Sequence, residues 1–200
     1  MTHRTVLPLA LLLLAGLAAC RTETGSAPQE PAASLAPLPA AVTAALDSLT
    51  AQVQPGRFAA QFEGEGGPAR LAGDATVRAT PDEEAVMSRF LLTDGEHRIE
   101  LVFEWPHASD PDGELTPPPG TYPQQSRALP LVRARLYAGG QTMASGDGRL
   151  EIVDDGGGVV GRFYFEMQPA TASSAPAAPL LGVVRLDAGA FAPADPPAAP

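Results

Sequence analysis

From Phe58 onward, apolar and polar side chains alternate with a period of two. Phe58, Ala60 and Phe62 share one face, with Ala59 and Gln61 on the other. The same alternation recurs in seven further runs. They are Ala75-Val77-Ala79, Val86-Ser88-Phe90-Leu92, Ile99-Leu101-Phe103-Trp105, Val132-Ala134-Leu136, Leu150-Ile152, Phe163-Phe165-Met167 and Val184-Leu186. Successive side chains of a strand point to opposite sides, so each run predicts a strand with one buried face. Turn signals separate the runs: Asp94-Gly95, Asp112-Gly113, Gly139-Gly140, Asp147-Gly148 and Asp154-Asp155-Gly156. Such pairs accept the positive φ of tight hairpins. Short turns leave no room for the crossover helices of a parallel sheet. The pattern predicts an all-β fold, an antiparallel β-sandwich or small barrel of about eight strands.

Ahead of Phe58 the period changes. Leu38, Val42, Leu46, Leu49 and Val53 follow helical spacing, opened by Pro39 and stopped by Pro55-Gly56. A helix this short rarely persists alone, so it is expected to dock on the core. Residues 21–37 hold no aromatic and few large apolar side chains, the composition of a disordered tether. Such a coil spans roughly 20–25 Å. The folded domain is placed at residues 38–192, with 169–179 a long loop before the last strand and 193–200 a frayed tail.

The first 20 residues, MTHRTVLPLALLLLAGLAAC, have another character. Arg4 supplies a positive start, Val6 to Leu14 an apolar run interrupted by Pro8, and small residues lead to Cys20. This is the layout of a secretory signal, residues 1–19, and the run is too short for a membrane-spanning helix. Its end, Leu17-Ala18-Ala19-Cys20, resembles the lipobox of bacterial lipoproteins. The resemblance implies diacylglyceryl transfer to the Cys20 sulfur, cleavage between Ala19 and Cys20, and acylation of the new amine by chains such as palmitate. Arg21 stands where inner-membrane lipoproteins tend to carry Asp, which implies the outer membrane.

Charge removes other partners. The chain carries a formal −10, and all 13 basic residues are arginine. An acidic protein is repelled by nucleic acid and by anionic headgroups, so no nucleic-acid partner is expected, and the membrane is reached through the lipid anchor. Cys20 is the lone cysteine, which leaves no internal disulfide and no Cys cluster for a metal.

Past residue 57 the order of elements resembles a group of uncharacterised small lipoproteins with β-sandwich domains. The matching pieces are Arg57-Phe58 through Gly64, Gly120-Thr121-Tyr122, Ser145-Gly146, Gly161 through Phe165, and Gly189-Ala190-Phe191. That group offers no catalytic residue to carry over.

Candidate chemistry is sparse. His107 precedes Ser109, Asp110, Asp112 and Glu114, which invites a hydrolase reading, but no Gly-x-Ser-x-Gly elbow occurs. The same acids could hold Ca²⁺, although they miss EF-hand spacing. Asp154-Asp155 reads as a hairpin turn and His97 as a solvated residue at a strand start. Trp105 reads as core. Arg133 and Arg135 lie on one strand face near Tyr137 and could meet an anion or carbohydrate; pairing with cross-strand Glu is the commoner use of such residues. No catalytic residue, metal site or cofactor is expected. The sequence points to a lipid-anchored envelope protein whose non-catalytic domain binds a partner protein or glycan. An envelope hydrolase using the His107 loop, and a calcium-stabilised surface module, are the alternatives.

Overall fold

The computed structural model describes residues 35–64, 70–109, 115–124, 129–156, 158–171 and 175–191. Helix α1 (Ala40–Thr50) is followed by nine strands: β1 (Arg57–Phe62), β2 (Arg70–Pro81), β3 (Ala85–Thr93), β4 (Arg98–Pro106), β5 (Gly120–Pro123), β6 (Leu131–Ala138), β7 (Gln141–Asp154), β8 (Gly158–Pro169) and β9 (Ala178–Asp187). They belong to one compact unit that begins at Pro37. Every pairing between them is antiparallel.

The pairing order β7-β6-β4-β3-β2-β1-β9-β8 returns to its start, because β8 also pairs with β7. Eight strands therefore close into a barrel, and the ring has no open edge. Of the two architectures the alternation allowed, the protein adopts the barrel. The eight alternating runs are its eight ring strands. β5 lies outside the ring and adds to the edge of β7, from Gly120↔Ile152 to Pro123↔Arg149.

An eight-stranded barrel is just wide enough for side chains to fill. Phe58, Phe62, Phe90, Phe103, Phe163 and Phe165 fill this one, each at most 2% exposed. Trp105 is also fully buried, and its indole N–H donates to the Ser88 hydroxyl at 3.3 Å. The donor would otherwise be stranded in apolar surroundings. A 3₁₀ turn, Ala188–Phe191, sends Phe191 into the core, where its ring meets Phe90 edge-on at 6.2 Å.

α1 docks as its spacing predicts. Leu46, Leu49 and Val53 pack on the outward side chains Val160, Leu181 and Val183 of β8 and β9. Arg162 of β8 reaches Asp47 of the helix at 2.7 Å and Glu151 at 3.4 Å. The helix explains why Leu180 to Val184 is a continuous buried run: β9 is covered on both faces.

Two expectations change. Asp147-Gly148 is no turn between strands. It forms a bulge inside β7, where the register against β8 slips between Ser145 and Asp147. Gly148 has φ +146°, and a Cβ there would sit 2.3 Å from the Tyr164 carbonyl oxygen, so the bulge needs glycine. The loop placed at 169–179 is shorter, because the β8–β9 ladder extends to Met167↔Ala178. The signal, Ala19, Cys20, most of the tether, the Asp112-Gly113 turn and the tail lie outside the described residues.

Candidate binding face

The described lumen is filled by apolar side chains, and the outer wall presents exposed polar and charged groups to a partner. Outward positions of β2, β3, β4 and β6 line up in rows across the strands. In one row Arg78 stands opposite Arg89, Arg89 opposite Val102, and Val102 opposite Arg133. The next row runs Thr76, Leu91, Glu100, Arg135, and the one beyond it Asp74, Thr93, Arg98, Tyr137. Arg78, Arg89, Arg98, Arg133 and Arg135 thus share these rows with two acids, Asp74 and Glu100, and Glu104 stands one row away, on a chain of net charge −10.

Local pairing leaves much of this charge open. Arg89 reaches Glu100 at 3.3 Å, and the Tyr137 hydroxyl donates to the same carboxylate at 3.3 Å. The Arg98 guanidinium lies 4.0 Å over the Tyr137 ring. The sequence favoured cross-strand Glu partners for Arg133 and Arg135. Glu100 does stand opposite Arg135 in register, but its carboxylate is engaged by Arg89 and Tyr137. Arg78, Arg133 and Arg135 are exposed and form no ion pair among the described residues. Like charges directly opposite on a sheet are destabilising by up to about 1 kcal/mol, so the Arg78–Arg89 juxtaposition is a cost to the fold.

Two shallow depressions flank β4 on this wall. One, of about 590 Å³, lies over β2 and β3 and is lined by Thr76, Arg78, Thr80, Met87, Arg89 and Leu91. The other, of about 320 Å³, lies where β6 and β7 part and is lined by Gln124, Arg133, Arg135, Ser145 and Gly146. The β6–β7 ladder runs only from Ala138↔Gln141 to Arg135↔Ala144. Beyond it the Ser145 hydroxyl accepts from the Ala134 N–H at 2.9 Å, in place of the next ladder bond. Gln124 donates its side-chain N–H to the Ser145 carbonyl at 2.9 Å, and its buried Oε1 has no hydrogen-bond partner among the described residues.

No protein-family model, curated protein or solved structure matches the chain.

The other candidate residues are dispersed. His97 lies in the β3–β4 turn, with its Nδ1 3.1 Å from Asp94 Oδ2. Burial works against the charged form of Asp94, but hydrogen bonds from His97 and Glu96 outweigh it and hold the carboxyl below its ordinary value. His107 opens a 3₁₀ turn, His107–Ser109, and its N–H donates to the Glu84 carbonyl at 3.1 Å. Among the described residues no serine or carboxylate side chain hydrogen-bonds its ring. Asp110, Asp112 and Glu114 lie outside the described residues. Asp154 accepts the Gly156 N–H at 2.8 Å, and Asp155 reaches Arg185 at 3.4 Å, so both serve the β7–β8 turn. Trp105 is core. Among the described residues no three His, Cys, Asp or Glu side chains gather to hold a metal.

The site members that sequence reading missed are Arg78, Arg89 and Gln124. Alternation marked Arg78 as outward, but only the register brings β2 and β3 arginines into one row with β6.

Proposed function

We propose that this protein is a lipid-anchored component of the bacterial envelope, in the outer membrane, whose barrel is non-catalytic and binds a partner on its wall. The observation that carries the reading is the arginine row of β2, β3 and β6 on an acidic chain, in which Arg89 alone has a counter-charge and Arg78 and Arg133 have none among the described residues. Exposed arginines held beside a like charge, with no ion pair of their own among the described residues, are what an anionic partner would use, since interface arginines both steer and orient such partners. The solid lumen supports the wall as the binding surface. The lipobox-like end at Cys20 supports the anchor, and the tether-like composition after it suits a domain held clear of the headgroups.

Arg78→Glu tests the reading through two readouts that should move in opposite directions. It converts a like-charge pair with Arg89 into an opposite-charge pair, so the melting temperature should rise by roughly 1–3 °C. Capture of the partner from detergent-solubilised envelope should fall at least about tenfold, because a repulsive charge now faces it. Undiminished capture of the same partner by this variant would overturn the wall as the binding surface.

A further inference from the structure

We infer that the occupant of the arginine wall is an acidic polysaccharide, a linear glycan carrying carboxylate groups, laid across the strands from β2 to β6. The inference rests on the wall-binding reading above and names its ligand class.

Geometry excludes a compact anion as the full occupant. Arg78 and Arg133 are separated by three inter-strand spacings, about 14 Å of wall. The guanidiniums on a convex wall do not converge on one point. They are placed to meet charges repeated along a chain. The basic band is also narrow in the other direction. Exposed acids close it at both ends, Asp82, Glu83 and Glu84 between β2 and β3, and Asp94 and Glu96 between β3 and β4. A flat anionic bilayer would press those turns against its own charge. A single polymer crossing the strands would lie between them.

The neutral groups then choose among polymers. Each depression combines two arginines with uncharged hydrogen-bonding groups. Thr76 and Thr80 accompany Arg78 and Arg89, and the Gln124 amide, whose Oε1 has no partner among the described residues, accompanies Arg133 and Arg135. Met87, Leu91 and Val102 stand between the charged positions, with Leu91 36% exposed. An acidic sugar presents all three complements at once: carboxylate for arginine, hydroxyls for Thr and Gln, and a C–H ring face for the apolar side chains. An acidic peptide would have to bind without its usual means. The ladders close the strand edges on this wall except where β6 and β7 part, and there the Ser145 hydroxyl already takes the Ala134 N–H; among the described residues no apolar groove runs here for a helix. For a single-stranded nucleic acid, stacking on exposed aromatic rings is the main source of affinity. Tyr137, the aromatic side chain of this wall, has Arg98 over its ring.

The test uses the full chain purified in detergent, with polygalacturonate as probe. Poly-glutamate, single-stranded DNA and neutral dextran are compared at equal monomer concentration in 50 mM salt. The expected order places polygalacturonate first and dextran last. Arg78→Ala/Arg133→Ala should weaken polygalacturonate binding roughly tenfold, as two partly screened charge contacts would. Raising salt to 0.5 M should remove most of the remainder, because screening shortens to a few ångströms. Gln124→Ala, which changes no charge, should also weaken polygalacturonate and leave poly-glutamate unaffected. Tighter binding to poly-glutamate or DNA than to polygalacturonate would overturn the glycan while leaving the wall as a binding surface. Polygalacturonate binding that survives Arg78→Ala/Arg133→Ala unchanged would overturn both.

Discussion

Replacing Cys20 with serine is expected to abolish lipid labelling and to move the protein out of the membrane fraction, either as a soluble form or as uncleaved precursor. The physical basis is the loss of the only sulfur in the chain that can carry a diacylglyceryl group. Serine keeps size and polarity but cannot form the thioether. Each buried CH₂ of an acyl chain yields about 0.8 kcal/mol, and two chains suffice for stable anchoring. Outside the α1 contact, the described outward positions of β2, β3, β4 and β6 are mainly polar or charged, with Met87, Leu91 and Val102 scattered among them, so these strands present no continuous apolar band to a bilayer. The effect should therefore be near complete. Labelling with fatty acid and fractionation of both proteins check it, and unchanged labelling would remove the anchor from the account.

Truncating the lumen should be the most costly change to the barrel. Phe163 is fully buried, its ring stacked with Phe165 at 6.3 Å. It faces Gly182, where a Cβ would come within 2.4 Å of the Phe163 ring. The ring thus fills space that its neighbour on β9 has been reduced to leave. Phe163→Ala should cost about 3–5 kcal/mol, out of a typical total of 5–15. The expected loss is roughly 10 °C or more in melting temperature for a domain of this size. Arg135→Ala, outward on β6, should stay within about 0.5 kcal/mol. A Phe163→Ala loss below about 1 kcal/mol would mean that the lumen is not the solid core described.

The ring strands were legible in the sequence because each has one wet face and one dry face, and that contrast is what a period of two records. Where the contrast fails, the reading failed with it. In β9 the run Leu180 to Val184 is buried on both faces under α1, so that stretch carries no alternation. β5 is four residues long and ends in proline, too little for a periodic signal. Asp147-Gly148 satisfies a bulge as well as a turn, since both call on glycine's freedom, and only the β8 partner decides between them. Sandwich and barrel likewise share one-sided strands. What separates them is the β7–β8 and β1–β9 ladders, and register is a long-range property. The binding face follows the same rule. Arg133 and Arg135 are neighbours in sequence and were visible as a pair. Arg78 and Arg89 join them through cross-strand register alone, and Gln124 through the parting of β6 and β7.

The proposed function places binding on the wall, at the arginine row, and not in the lumen. Chemical-shift mapping of the full chain in detergent, titrated with polygalacturonate, tests it most directly. The Nε–H signals of Arg78, Arg89, Arg133 and Arg135 should be perturbed, with the aromatic signals of Phe58, Phe90 and Phe163 unmoved. Perturbation of those lumenal rings with the four arginines unchanged would contradict it.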